Sequence, residues 1–121
     1  GFNQLIGAKI HMVSLDWTVE CQAMGAGDKM RITVLIPKDP SVTPVALGTQ
    51  YRYDHRNFRV LYDEHIDGQQ GSSKRLKLKL NMPQEYGLSG IPILKNAVQC
   101  VVNSTATGVI DSVCRLYYTD V

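Results

Sequence analysis

Helical periodicity is nearly absent from this chain. No stretch repeats apolar residues at three- and four-residue spacing over a helix-sized window, and there is no βαβ spacing, so helical bundles and α/β folds are set aside. Aromatics are few and mostly tyrosine, with six Tyr against two Phe and one Trp. The three cysteines, Cys21, Cys100 and Cys114, are an odd number without paired spacing, which argues against a disulfide framework. They are expected to be reduced, buried thiols inside strands. No apolar run approaches the ~20 residues of a membrane span. No secretory leader is recognisable, so a soluble protein made in a reducing compartment is expected. An excess of one charge is also lacking: 13 basic residues face 11 acidic ones, for a net charge of +2. That is too little to hold a nucleic acid by bulk charge. Such a role needs locally clustered cations or a basic tail.

What the chain does have is alternation. Leu15, Trp17, Val19 and Cys21 share one face of a strand over Ser14–Gln22, and Asp16, Thr18, Glu20 and Gln22 share the other. Met30, Ile32, Val34 and Ile36 point inward in a second such strand, with Arg31 and Thr33 outward, and Pro37 ends it. Further strands are expected at Leu5–Met12, Asn57–Ile66, Lys74–Asn81, Ala97–Ser104 and Ser112–Thr119, with a short one near Ile91–Leu94. Turn residues separate them, as at Gly25–Asp28 and Asp67–Ser73. Trp17, Val34, Val60, Leu78 and Leu116 are the expected core. The 121 residues read as one all-β domain, 1–121, an antiparallel sandwich.

The order of motifs resembles the coat proteins of circular Rep-encoding single-stranded DNA viruses, of circovirus or geminivirus type. Ile6-Gly7-Ala8-Lys9-Ile10 is similar to the family's opening strand. Met30–Lys38, with Ser41–Pro44 after it, is similar to its second motif. Phe58-Arg59-Val60-Leu61-Tyr62-Asp63 precedes the basic alternating strand Lys74–Leu80, and Arg115–Asp120 resembles the closing strand. The resemblance spans almost the whole chain, and the order carries it more than any one motif. It implies an eight-stranded jelly roll of two four-stranded sheets. It implies a structural capsid protein that self-assembles into a small icosahedral shell and packages single-stranded DNA. A virion location follows, with the host nucleus or cytoplasm during assembly. The family also carries a basic N-terminal arm, which the chain starting at Gly1 does not show, so Gly1 is expected to follow further sequence. Two alternatives stay open: the coat of a small satellite RNA virus, and a monomeric carbohydrate- or ligand-binding sandwich module.

In the jelly roll so implied, the opening, Met30–Ile36 and closing strands share the lumen-facing sheet. Lys9, His11, Arg31, Arg115 and Tyr117, all outward by parity, then form one nucleic-acid-binding patch. Cations contact phosphates without sequence preference, and a tyrosine stacks on an unpaired base. Arg75, Lys77 and Lys79 are assigned to the other sheet, as edge-strand lysines that block aggregation or as contacts to a host-cell surface polyanion. Loop residues Pro44, Leu47, Tyr51, Tyr53, Tyr86 and Leu88 are the expected subunit-interface anchors of a homo-oligomer, since exposed apolar loop residues mark partner surfaces. No catalytic residue, metal or cofactor is assigned. His55, His65, Asp63, Glu64 and Asp67 cluster in sequence, but adjacent residues of a strand point to opposite faces. No Cys/His spacing suits a metal, and no glycine-rich phosphate loop or nucleophile elbow is present.

Overall fold

A computed structural model describes residues 9–39, 52–68, 73–86, 93–106 and 108–120. Seven strands are formed among them: β1 (Lys9–Cys21), β2 (Lys29–Pro37), β3 (Phe58–Asp67), β4 (Ser73–Tyr86), β5 (Ile93–Lys95), β6 (Gln99–Ser104) and β7 (Ile110–Asp120). They make two antiparallel sheets, one of four strands in the order β5-β4-β1-β7 and one of three in the order β3-β2-β6. The chain is all-β among the described residues, and the core joins the two sheets face to face. Met12, Leu15, Trp17, Val19 and Cys21 of β1 meet Met30, Ile32, Val34 and Ile36 of β2, with Ile66 of β3 and Leu76, Leu80 and Met82 of β4.

Two strands expected separately are one. The spacing of three from Met12 to Leu15 breaks the two-residue period, and a strand end is expected there. The structure instead inserts a bulge. The register shifts between Met12 and Ser14 against both β4 and β7, and Val13 bulges out, exposed. One extra residue restores the parity, so Met12 and Leu15 both stay in the core. This merger leaves seven strands rather than eight, in sheets of four and three.

β4 also runs past its expected end at Asn81, through Pro83 to Tyr86. Asn81 takes a left-handed conformation, φ 48°, which asparagine tolerates. β5 pairs with β4 only at Glu85 and Tyr86, so Pro83 meets no ladder on that side that would need its missing N–H.

A second bulge falls between Val34 and Leu35, where Val34 faces Tyr62 and Leu35 faces Val60. Leu61 consequently packs against the core, while Val60 is half-buried on the opposite face beside Arg31 and Asp63. Of the five expected core residues, Trp17 and Val34 are buried and Leu78 and Leu116 are half-buried against the core; Val60 is not part of it.

Candidate nucleic-acid interface

The outer face of the four-stranded sheet is set by the alternation of its three long strands. The two neighbours of β1 place residues in rows across it. Lys79, Ser14 and Tyr117 form one row, Lys77, Asp16 and Arg115 the next, and Arg75, Thr18 and Val113 the third. Ser14, Asp16, Arg75, Lys77, Lys79 and Tyr117 line an open groove of about 500 Å³. Ser14, which follows the β1 bulge, is part of the lining, and bulges often re-aim side chains beside binding sites.

Asp16 organises the charges here. Arg75 donates from Nη2 to Asp16 Oδ2 at 3.0 Å and from Nε to Oδ1 at 3.3 Å. These bonds from Arg75 hold the Asp16 carboxyl below the usual carboxylate range, burial opposes them, and the charges of Arg75, Lys77 and Arg115 add to the lowering. The same bonds raise Arg75 above the ordinary arginine value. Lys77, Lys79 and Arg115 make no hydrogen bond or ion pair among the described residues. The groove therefore presents two free ammonium groups, on alternate residues of one strand roughly 7 Å apart, beside a half-exposed tyrosine ring.

Lys9 and His11 lie on the same face beyond the bulge, and each has a partner. Lys9 Nζ sits 3.2 Å from Glu85 Oε1, and His11 Nε2 is 2.8 Å from Asn81 Oδ1. Arg115 and Tyr117 are exposed on β7, as expected. Four of the five residues assigned to the patch thus share one sheet face.

Arg31 does not join them. β2 pairs with β3 and β6, not with β1 or β7, so Arg31 belongs to the three-stranded sheet. It points to the outer side, as its parity requires, but that side is covered and Arg31 is only 4% exposed. Its Nε donates to Asp63 Oδ1 at 2.8 Å and its Nη2 to Oδ2 at 2.7 Å. Thr33 Oγ1 donates to the same carboxylate. The Tyr53 ring lies over the guanidinium, 5.2 Å from its carbon to the ring centroid, and meets Phe58 edge-on at 5.4 Å. Asp54 folds the covering loop by accepting from the backbone N–H groups of Arg56 and Asn57. Parity predicts which way a side chain points, but not which sheet holds it or what lies on top.

Tyr53 is therefore an internal packing residue, 7% exposed, and not an exposed interface anchor. Tyr86 ends β4. Pro44, Leu47, Tyr51 and Leu88 fall outside the described residues.

Arg75, Lys77 and Lys79 are the site residues that sequence reasoning misplaced. β4 pairs directly with β1, which brings them onto the same sheet as Lys9 and Arg115. The readable signal was charge complementarity: Asp16 stands directly opposite both Lys77 and Arg115, and opposite charges favour cross-strand pairing.

The acidic cluster is divided between faces. Asp63 is held by Arg31 on the outer side, while Glu64 accepts from the Tyr62 hydroxyl and lies 3.4 Å from Lys74 Nζ on β4. The cysteines correct another expectation, since Cys21 is buried but Cys100 and Cys114 are exposed. Their thiols face each other from β6 and β7. Burial of the thiol group, then the neighbouring Cys114, push Cys100 up to about 12.

Comparison with protein-family models, with curated proteins and with solved structures gives no match.

Proposed function

We propose that this chain is the shell-forming domain of a jelly-roll capsid protein, and that the groove on its four-stranded sheet holds the backbone of a single-stranded DNA. The observation that carries this is the row of free cations at Lys77 and Lys79 beside the half-exposed Tyr117 ring in one open groove. Ammonium groups bind phosphate as point charges, and the ring offers a base a stacking surface that is indifferent to sequence. Arg75 lends a further cation at the groove's edge, already oriented by Asp16. No reaction is part of the proposal.

The jelly-roll assignment is supported by connectivity. The consecutive strands β1 and β2 are central, one in each sheet, and each is flanked by an earlier-or-later partner pair: β4 and β7 around β1, β3 and β6 around β2. Chain order crosses between sheets at β1–β2, β3–β4, β5–β6 and β6–β7. Such interleaving between the sheets supports a jelly roll, in which two Greek keys are wrapped together.

The test is assembly with cargo. The protein is purified with and without added single-stranded DNA and measured by sedimentation velocity with absorbance at two wavelengths. Megadalton particles that carry nucleic acid are expected. A species that stays monomeric and leaves the DNA free contradicts the capsid reading and favours a monomeric binding module.

A further inference from the structure

Among the described residues, strand β7 is an eleven-residue edge of the four-stranded sheet. β1 covers one side of it and nothing among the described residues covers the other. Ten of its residues are exposed, and only Leu116 is half-buried. Its outer row carries Val113 at 59% and Tyr117 at 50% exposure, and Val109, just before the strand, is at 61%. These three apolar side chains recur at every fourth residue on one face. Asp111 and Arg115 lie between them. Natural edge strands of this length are usually blunted by proline, a bulge or a covering segment. The register shift opposite Met12 and Ser14 falls on β1, so β7 itself runs without a bulge.

Asp111 is poorly matched within the chain, and Arg115 makes no direct bond to the carboxylate it faces. Asp111 stands directly opposite Glu20 of β1, carboxylate against carboxylate, relieved only by a 2.9 Å bond from Gln22. Like charges directly opposite disfavour a pairing. Arg115 stands opposite Asp16, whose two oxygens are already taken by Arg75.

We infer that the free edge of β7 pairs antiparallel with β7 of a second copy of this chain, about a two-fold axis at Val113. In that register Val113 meets its own counterpart. Asp111 meets Arg115 of the second copy, and Arg115 meets its Asp111. Val109 meets Tyr117, a β-branched residue against an aromatic one, in both directions. On the inner side Ile110 meets Leu116 and Ser112 meets Cys114. Residues directly opposite in an antiparallel pair share a face, and each of these pairs does. The backbone agrees. The Val109 carbonyl accepts from the amide of Gln22, just past the end of β1, so by alternation the amides of Ile110, Ser112, Cys114 and Leu116 turn away from β1. An isologous contact needs one self-complementary patch, and this row is one. The groove stays open, because pairing uses the edge and not the face.

The pairing rests on the self-association reading above and names its surface. The test is sedimentation equilibrium at low salt, with far-ultraviolet circular dichroism as the check on folding. The parent is expected to dimerise or to assemble further. Asp111→Arg and Arg115→Asp each turn two attractive cross-strand pairs repulsive, so each is expected to raise the dissociation constant roughly tenfold or more. An equimolar mixture of the two single variants is expected to form the heterodimer, since each then supplies the charges the other lacks. The double variant Asp111→Arg/Arg115→Asp is expected to recover parental association. A monomeric parent overturns the inference. So does an association that neither reversal weakens, or a mixture that does not pair. Shells unaffected by either single variant would overturn the edge pairing and leave the capsid reading standing. Dimers that respond to the variants but form no shell would do the reverse.

Discussion

Replacing Arg31 by glutamine separates a folding role from a genome-binding one. In the structure Arg31 is 4% exposed, bonded through two nitrogens to Asp63 and capped by the Tyr53 ring. Removing one partner of a buried ion pair typically costs about 3–5 kcal/mol, because the other charge stays behind unpaired. Asp63 retains 32% side-chain exposure, so water compensates part of that loss. A cost of about 2–3 kcal/mol follows for Arg31→Gln. For a domain of this size that is a fall of roughly 10 °C in Tm. The assay is guanidinium unfolding followed by circular dichroism. Acid gives a second readout. Hydrogen bonds from Arg31 depress the Asp63 carboxyl, burial opposes them, and the Arg31 charge adds to the lowering. A depressed carboxyl contributes stability above its unfolded value of about 3.9 and loses it as the pH falls through the folded value. The parent is therefore expected to lose stability more steeply than Arg31→Gln below about pH 4. A variant that unfolds at the parental guanidinium concentration and binds DNA less well would refute the structural role.

Trp17→Ala removes the largest side chain of the core, which is 2% exposed. It is expected to cost about 4 kcal/mol by guanidinium unfolding, and a loss below about 1 kcal/mol would contradict the packing. Cys100 is exposed as a residue but its thiol is held in the protonated form. At pH 8 its alkylation by iodoacetamide is expected to be slower than that of an ordinary surface cysteine, and to quicken in Cys114→Ser, which removes the neighbouring thiol. Peptide mapping by mass spectrometry reads both rates, and a fast Cys100 in the parent would contradict the assigned contact.

Alternation made much of the fold legible. Leu15, Trp17, Val19 and Cys21 are all buried, as are Met30, Ile32, Val34 and Ile36. The period of two is a local property that any half-buried strand must satisfy. Bulges were not legible, because a one-residue insertion at Val13 resembles a strand end when read along a single chain. The bulge opposite Val34 and Leu35 had the same effect on Val60 and Leu61. Sheet membership is a long-range property, which explains both misplacements at the candidate site. Arg31 was assigned to a sheet that does not contain β2, and Lys77 and Lys79 to the sheet opposite the one they occupy. Lys9, His11, Arg115 and Tyr117 were grouped correctly because β1 and β7 are neighbours. The cover over Arg31 comes from Tyr53, a tyrosine in a loop. Sequence gives such a residue no mark to distinguish a cap on its own sheet from an anchor for a partner.

The salt dependence of single-stranded DNA binding tests the groove most directly. Affinity for a fluorescent oligonucleotide is measured across a series of salt concentrations for the parent and for Lys77→Gln/Lys79→Gln. Each phosphate contact on a single strand contributes a slope of about −0.7 to the logarithm of the binding constant against the logarithm of salt. Loss of two contacts is expected to flatten the slope by about 1.4 and to weaken binding at low salt. A double variant with the parental slope and affinity would mean that the nucleic acid does not lie in this groove.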